Sequence, residues 1–206
     1  MTTRSARSGK TTGRPVAFDR DVALEAALKE FWRYGYDGTS IAMLTAAMDI
    51  RPPSLYGAFG DKRALFRECV RLYSEKYGAF VARALAEEPT AFRAVERLLR
   101  ESAAMYTDRT HPPGCLIISA TAAHGPGSAE VAEELRAGRM AFKQVLADRI
   151  AEDVRTGRLP ADTDVAALAT FCAATQQGMS RQAQDGAGRA DLEGVAALAM
   201  RAWPAC

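Results

Sequence analysis

Between Thr39 and Lys62 the chain gathers side chains suited to holding a polyanion: the hydroxyls of Thr39, Ser40 and Ser54, the phenol of Tyr56, the guanidinium of Arg51 and the ammonium of Lys62. Hydroxyls and cations donate to phosphate oxygens. An arginine can also meet O6 and N7 of guanine with two parallel bonds, worth about 1–3 kcal/mol of discrimination. The chemistry on offer is recognition, with no bond made or broken. Catalysis would have to draw on Cys115 as nucleophile with His111 or His124 as base. Yet the chain has two histidines, both in Pro/Gly-flanked loops, and neither a glycine-rich phosphate loop nor a nucleophile elbow accompanies them. An enzyme is not expected.

Two short helices must position these groups. Thr39 and Ser40 follow the breaker run Gly35-Tyr36-Asp37-Gly38 and can cap a helix whose apolar stripe is Ile41, Leu44 and Met48, with Ala42, Ala46 and Ala47 small enough for close packing. Met48-Asp49-Ile50 interrupts it. Pro52 and Pro53 restart the chain as helix, because proline lacks an N–H that a first helical turn could not pair anyway. From there Leu55 and Phe59 face inward, leaving Arg51, Ser54, Tyr56 and Gly57 outward. Two helices joined by three residues describe a helix-turn-helix, whose second helix enters the major groove, although an ordinary helical hairpin has the same spacing. Upstream, a helix entered at Asp19 carries Leu24, Leu28 and Phe31 and ends at Gly35; downstream, Asp61 caps another at the Lys62 position.

The run from Phe18 to Phe66 resembles the DNA-binding domain of the tetracycline repressor (TetR) family of bacterial transcriptional regulators. The pieces that carry the resemblance are Ala26-Ala27-Leu28, Phe31, Gly35-Tyr36, Thr39-Ser40, Leu55-Tyr56, Phe59 and Asp61-Lys62-Arg63-Ala64-Leu65-Phe66. It implies that Tyr56, Lys62 and the hydroxyl of Thr39 or Ser40 touch phosphates, while Arg51, Pro52, Pro53, Ser54 and Gly57 read bases. Asp49 stands where the family usually has a turn glycine; aspartate tolerates the left-handed backbone better than most residues. Gly57 and Ala58 stand where many members carry an aromatic or histidine side chain, so the base-reading surface is thin and Arg51 carries more of the specificity.

The formal net charge is +2, unevenly spread. Residues 1–20 hold five bases against one acid, residues 21–67 balance six against six, and the remainder is acidic by two. The excess lies in an N-terminal arm, residues 1–17, whose Thr, Ser, Gly and Arg composition reads as a flexible segment, with Arg14 a candidate DNA contact. Residues 18–67 form the expected DNA-binding head and 68–206 an expected effector-binding and dimerisation body. No run approaches the ~20 apolar residues of a membrane span, so a cytoplasmic protein without a membrane partner is expected. Cys69, Cys115, Cys172 and Cys206 are scattered and lack histidine partners at ligand spacing, so neither disulfides nor metal nor cofactor is implied.

Beyond residue 67 helical periodicity recurs without strand-like alternation, giving an all-α fold of about nine helices. The Asp61 helix is expected to run unbroken through Phe66, Val70, Tyr73, Tyr77 and Phe80 as a connector, and a short helix to span Cys115 to Ala123. The resemblance implies a homodimer on a palindromic operator. It assigns the last two helices, about 163–184 and 190–203, to the dimer interface through Val165, Leu168, Cys172, Thr175, Met179, Leu192, Val195, Ala199 and Trp203. It further implies a pocket for a small apolar or aromatic effector, for which Tyr73, Tyr77, Phe80, Met105, Tyr106, Ile118, His124, Phe142, Phe171, Gln176 and Met179 are candidates. Effector binding is then expected to favour a dimer whose heads are wrongly spaced for DNA. Cys115, beside Gly114 at a helix start, could have a lowered thiol pKa and sense electrophiles or oxidants. A helical ligand-binding or interaction protein that does not act on DNA is the other reading.

Overall fold

The computed structural model describes residues 18–121 and 125–204, folded into ten α-helices and one 3-10 turn, with no strand among the described residues. Helix α1, Arg20–Gly38, starts where the Asp19 carboxylate accepts the N–H groups of Asp21 and Val22 at 3.0 and 3.2 Å. It buries Leu24, Ala27, Leu28, Phe31 and Trp32. At Gly35 the backbone turns to φ 73°, inside the run from Asp19 that was expected to end there. The Tyr36 N–H can then donate to the Ala120 carbonyl at 2.9 Å, and a Cβ on Gly35 would stand 3.0 Å from that oxygen. Both the left-handed φ and the close approach require glycine.

Helices α2, Ile41–Ala47, and α3, Pro52–Phe59, follow, and α4, Lys62–Lys76, packs along α1. Leu44, Leu55, Phe59 and Leu65 close the core of the head, with the Phe31 ring edge-on to Phe66 at 5.0 Å. The expected unbroken connector to Phe80 does not form. The Tyr77 and Gly78 N–H groups both return to the Tyr73 carbonyl, at 2.8 and 2.9 Å, and a new helix, α5, Ala79–Glu87, begins. Glycine is the poorest helix former after proline, so the bend falls at Gly78. This break accounts for ten helices where nine are expected.

Helix α6, Ala91–Tyr106, is the axis of the body, packed against α5, α8, α9 and α10 through Val95, Leu98, Leu99 and Ala103. Its first N–H groups are satisfied from two sides. Thr90 accepts from Arg93, and the buried Asp153 carboxylate accepts from Ala91 at 2.6 Å while pairing with Arg149 at 3.0 Å. The helix expected from Cys115 to Ala123 is only α7, Leu116–Ser119. Just ahead of it, Gly114 takes φ 76° and a Cβ there would lie 2.7 Å from the Ser180 carbonyl, which pins this segment on α9. Helix α8, Ala129–Arg155, spans about 40 Å at 1.5 Å per residue. Helices α9, Val165–Gln184, and α10, Arg189–Arg201, complete the fold. No helix among the described residues is long and apolar enough to cross a membrane.

Candidate nucleic-acid interface and body cavity

The turn between α2 and α3 depends on Asp49, which at φ 52° is the one non-glycine residue with positive φ among the described residues. Chain direction reverses there, and α3 presents Arg51, Pro52, Pro53, Ser54, Tyr56 and Gly57 to solvent while Leu55 and Phe59 are buried beneath. Tyr56 is half exposed, and a Cβ on Gly57 would meet nothing within 4 Å, so a duplex backbone could approach α3 closely at that turn. Ser40 caps α2 by accepting the Met43 N–H at 3.1 Å, which leaves its hydroxyl proton to donate outward. Thr39, the other candidate hydroxyl, is turned inward: it is fully buried and donates to the Gly35 carbonyl at 2.6 Å. That corrects its expected place on the interface, because the kink at Gly35 frees a carbonyl that the threonine must satisfy. Arg14 and the arm lie outside the described residues.

Lys62 opens α4 beside the Asp61 cap, whose carboxylate accepts the Ala64 N–H at 2.7 Å. Its ammonium rests 4.4 Å from the centre of the Tyr36 ring. Burial lowers its pKa, and the Asp37 carboxylate opposes that shift. A cation parked on an aromatic face is partly desolvated already, so moving it onto a phosphate costs little further hydration. Next to Lys62 on α4, Arg63 and, one turn further, Arg67 clasp Glu130 and Glu134 of α8, with Arg67 Nε 2.9 Å from Glu134. These two guanidinium groups hold the Glu134 carboxyl down at about 2. This clasp, which the separate periodicities of α4 and α8 give no sign of, ties the head to the body.

A cavity of about 420 Å³ lies in the body between α4, α5, α6, α7, α8 and α9. Seven of the candidate pocket residues line it: Tyr73, Phe80, Met105, Tyr106, Ile118, Phe142 and Gln176. The others do not. Tyr77 faces a neighbouring cleft and donates to Glu25 at 2.5 Å, Met179 is buried in the core, and Phe171 is 40% exposed on the outer face of α9. His124 lies outside the described residues. Sequence reasoning missed Ser74, Val81, Leu85 and Arg139 as lining residues; Arg139 stands three residues before Phe142 on α8, so helical spacing from Phe142 could have found it. Cys115 also faces this cavity, but its expected low pKa is reversed. Burial pushes the thiol up, and the neighbouring Tyr73 hydroxyl and the Ile117 and Ile118 backbone only partly offset it. His111, the other group considered for catalysis, is stacked on Trp32 at 4.5 Å.

The expected dimer stripe needs a correction of register. Leu168, Cys172, Met179, Leu192 and Ala199 are buried within the protomer, where α9 and α10 pack on α6. Trp203 likewise packs edge-on to Phe92 of α6 at 5.9 Å. Of the residues in that stripe, Val195 is exposed, and Val165 and Thr175 are partly so. The uncovered face comprises Phe171, Ala174 and Gly178 on α9 with Gly194, Val195 and Leu198 on α10, of which Leu198 is 62% exposed. Neither Gly178 nor Gly194 would bring a Cβ within 4 Å of another atom. Period alone cannot separate the two faces of a helix that is apolar on both.

Comparison with known proteins agrees with this geometry. The N-terminal model of the bacterial regulatory proteins of the tetR family matches residues 23–69, and a tetracyclin repressor-like C-terminal domain model matches residues 91–194. The chain is 33% identical over 196 residues to the HTH-type transcriptional repressor ComR of Escherichia coli (strain K12), covering 95% of this chain and 93% of that one. A cysteine-substituted form of the TetR family transcriptional regulator CifR, solved in complex with a 26 bp double-strand operator DNA, is 44% identical. It superposes with a TM-score of 0.88 over 93% of this chain and all of that one. A regulator from Chloroflexus aurantiacus J-10-FL, at 21% identity, shares the fold with a TM-score of 0.77, over 88% of this chain and 92% of that one.

Proposed function

The chain belongs to the bacterial tetR family of transcriptional regulators, and from that premise we propose that it is a repressor that binds a palindromic operator as a homodimer and leaves it when a small molecule occupies the body. The observation that carries this reading is α3, which exposes Arg51 to Ser54, Tyr56 and Gly57 around a buried Leu55. Arg51 reads a base, Tyr56, Ser40 and Lys62 hold phosphates, and the N-terminus of α4 at Lys62 adds its own N–H donors to the anion. Dimerisation uses the uncovered face of Phe171, Gly178, Val195 and Leu198. To read two half-sites, a two-fold axis there has to set two α3 helices about 34–36 Å apart, one turn of duplex. The basic composition of the arm makes Arg14 a further candidate for a phosphate contact.

Release follows from what the cavity touches. Tyr73 belongs to α4, the helix that begins at Lys62, and Cys115, Ile117 and Ile118 belong to the segment whose Ala120 carbonyl holds the Tyr36 N–H. A ligand that spreads these walls acts on α4 and on the Gly35 kink together, and a bias of about 1–3 kcal/mol between the two dimer arrangements is the usual scale of such coupling. The test is a genomic-fragment selection with purified dimer, followed by anisotropy titration of the recovered duplex. Sequence-selective binding that weakens with salt supports the reading; binding that is absent at low salt, or equal on scrambled duplex, overturns it.

A further inference from the structure

The cavity also carries information about its occupant. Its polar side chains are nearly all engaged: Gln176 donates to Ser102 at 3.1 Å, Arg139 to the Ile117 carbonyl at 2.9 Å, and Ser74 to the Val70 carbonyl at 2.9 Å, while the Tyr106 hydroxyl meets Ser102. Tyr73 is different. It is 2% exposed, and its hydroxyl is the one buried side-chain oxygen or nitrogen on the cavity wall, among the described residues, with no partner in good hydrogen-bonding geometry. The ring cannot swing away to find water. It is wedged edge-on against Trp32 at 4.8 Å and lies against Tyr77 at 5.9 Å. The Cys115 thiol and the Tyr106 hydroxyl, both on the same wall, stand beside it, close enough to raise its pKa, which burial has already pushed well above 10.0. The Leu116 N–H also lies close, but it can only donate to the phenol oxygen, and the Cys115 thiol is a weak acceptor at the margin of bonding geometry, so no strong acceptor takes the tyrosine proton.

A buried donor without a partner is costly, and that cost disappears when a ligand brings an acceptor. The apolar part of the cavity lining includes Phe80, Val81, Leu85, Met105, Ile118 and Phe142. The volume lies near the small end of ligand pockets, about 300–1,000 Å³. We infer that the effector is a small, uncharged, largely apolar molecule, about one ring in size, carrying an oxygen acceptor such as a ketone or ether that takes the Tyr73 proton. This rests on the reading of the cavity as the effector site.

The test measures binding of three matched probes to the full-length dimer by ligand-observed NMR titration: acetophenone, cumene with the same number of heavy atoms and no acceptor, and benzoate. Acetophenone should bind roughly tenfold tighter than cumene, the usual scale of satisfying a buried donor. In Tyr73→Phe the ratio should fall to about one with the affinity for cumene unchanged and thermal stability equal or higher. A ratio near one in the unaltered protein, or a preference that survives Tyr73→Phe, overturns the inference while leaving the cavity a ligand site. Benzoate binding tightest overturns it in favour of Arg139 as anchor. If no probe binds, and Phe142→Trp, which fills the cavity, changes neither probe signals nor the response of operator binding to acetophenone, the cavity reading falls as well.

Discussion

In the head, the groups available to a partner sit on one eight-residue helix and its flanks and face outward; in the body, those available to a ligand come from six helices, between Tyr73 and Gln177, and face inward. The head's exposed groups bear little of the folding load, since Leu55 and Phe59 hold α3 down while Arg51, Ser54 and Tyr56 are left to the partner. Several of the cavity residues, Tyr73, Phe80, Tyr106 and Cys115, are also buried core residues, so changes to them reach the cavity and the stability of the body together. Head substitutions should therefore separate binding from folding, and body substitutions should not, except at the uncovered α9–α10 face and at the unspent Tyr73 hydroxyl.

The largest expected effect lies on that uncovered face. Leu198→Glu, at a position 62% exposed in the protomer, should leave helix content intact, give a monomer in sedimentation, and lower operator affinity by about a hundredfold or more, because a lone charge at an apolar interface stays unpaired. Retention of the dimer would move the interface elsewhere. Next comes Asp153→Ala, which strips a partner from Arg149 and from the first N–H of α6. Denaturant unfolding should show a loss of about 3 kcal/mol. On the head, Lys62→Ala should weaken operator binding by about tenfold across sequences, flatten the log–log salt slope by about 0.9, and leave unfolding unchanged. Asp49→Gly should stabilise the protein by no more than about 1 kcal/mol by relieving the left-handed turn.

The smallest effect concerns the clasp between the two regions. Glu134 is held down at about 2 against an ordinary 4.5, so its contribution is complete above the ordinary value and is lost as pH falls through about 2. Glu134→Gln should remove that part of the acid sensitivity. On this partly exposed pair the difference should be below about 1 kcal/mol, read by comparing unfolding at pH 6 and pH 3.

The two regions also differ in how far the sequence reveals them. Caps, the Pro52-Pro53 start and the Asp49 turn are chemistry between residues a few positions apart, and they place α2 and α3 as expected, with the outward set from Arg51 to Gly57. Thr39 escapes this reading because its partner is the Gly35 carbonyl, released by a kink that periodicity does not register. In the body, helical period finds α6, α8, α9 and α10 and seven of the cavity residues. It does not find the Gly78 break or the four-residue α7, where Gly114 against Ser180 and Tyr36 against Ala120 fix the path through contacts distant in sequence. The dimer register fails for a related reason. Leu168, Cys172 and Met179 form as good a stripe as Phe171, Ala174 and Gly178, and only the position of α6 decides which is buried.

The proposed reading of two half-sites by one dimer is tested most directly by footprinting on an operator recovered from genomic fragments. It predicts two protected major grooves related by a two-fold axis and centred about 34–36 Å apart, lost together in the Tyr56→Phe, Lys62→Ala double variant while the dimer persists. A single protected site, or protection that survives the double variant, would contradict it.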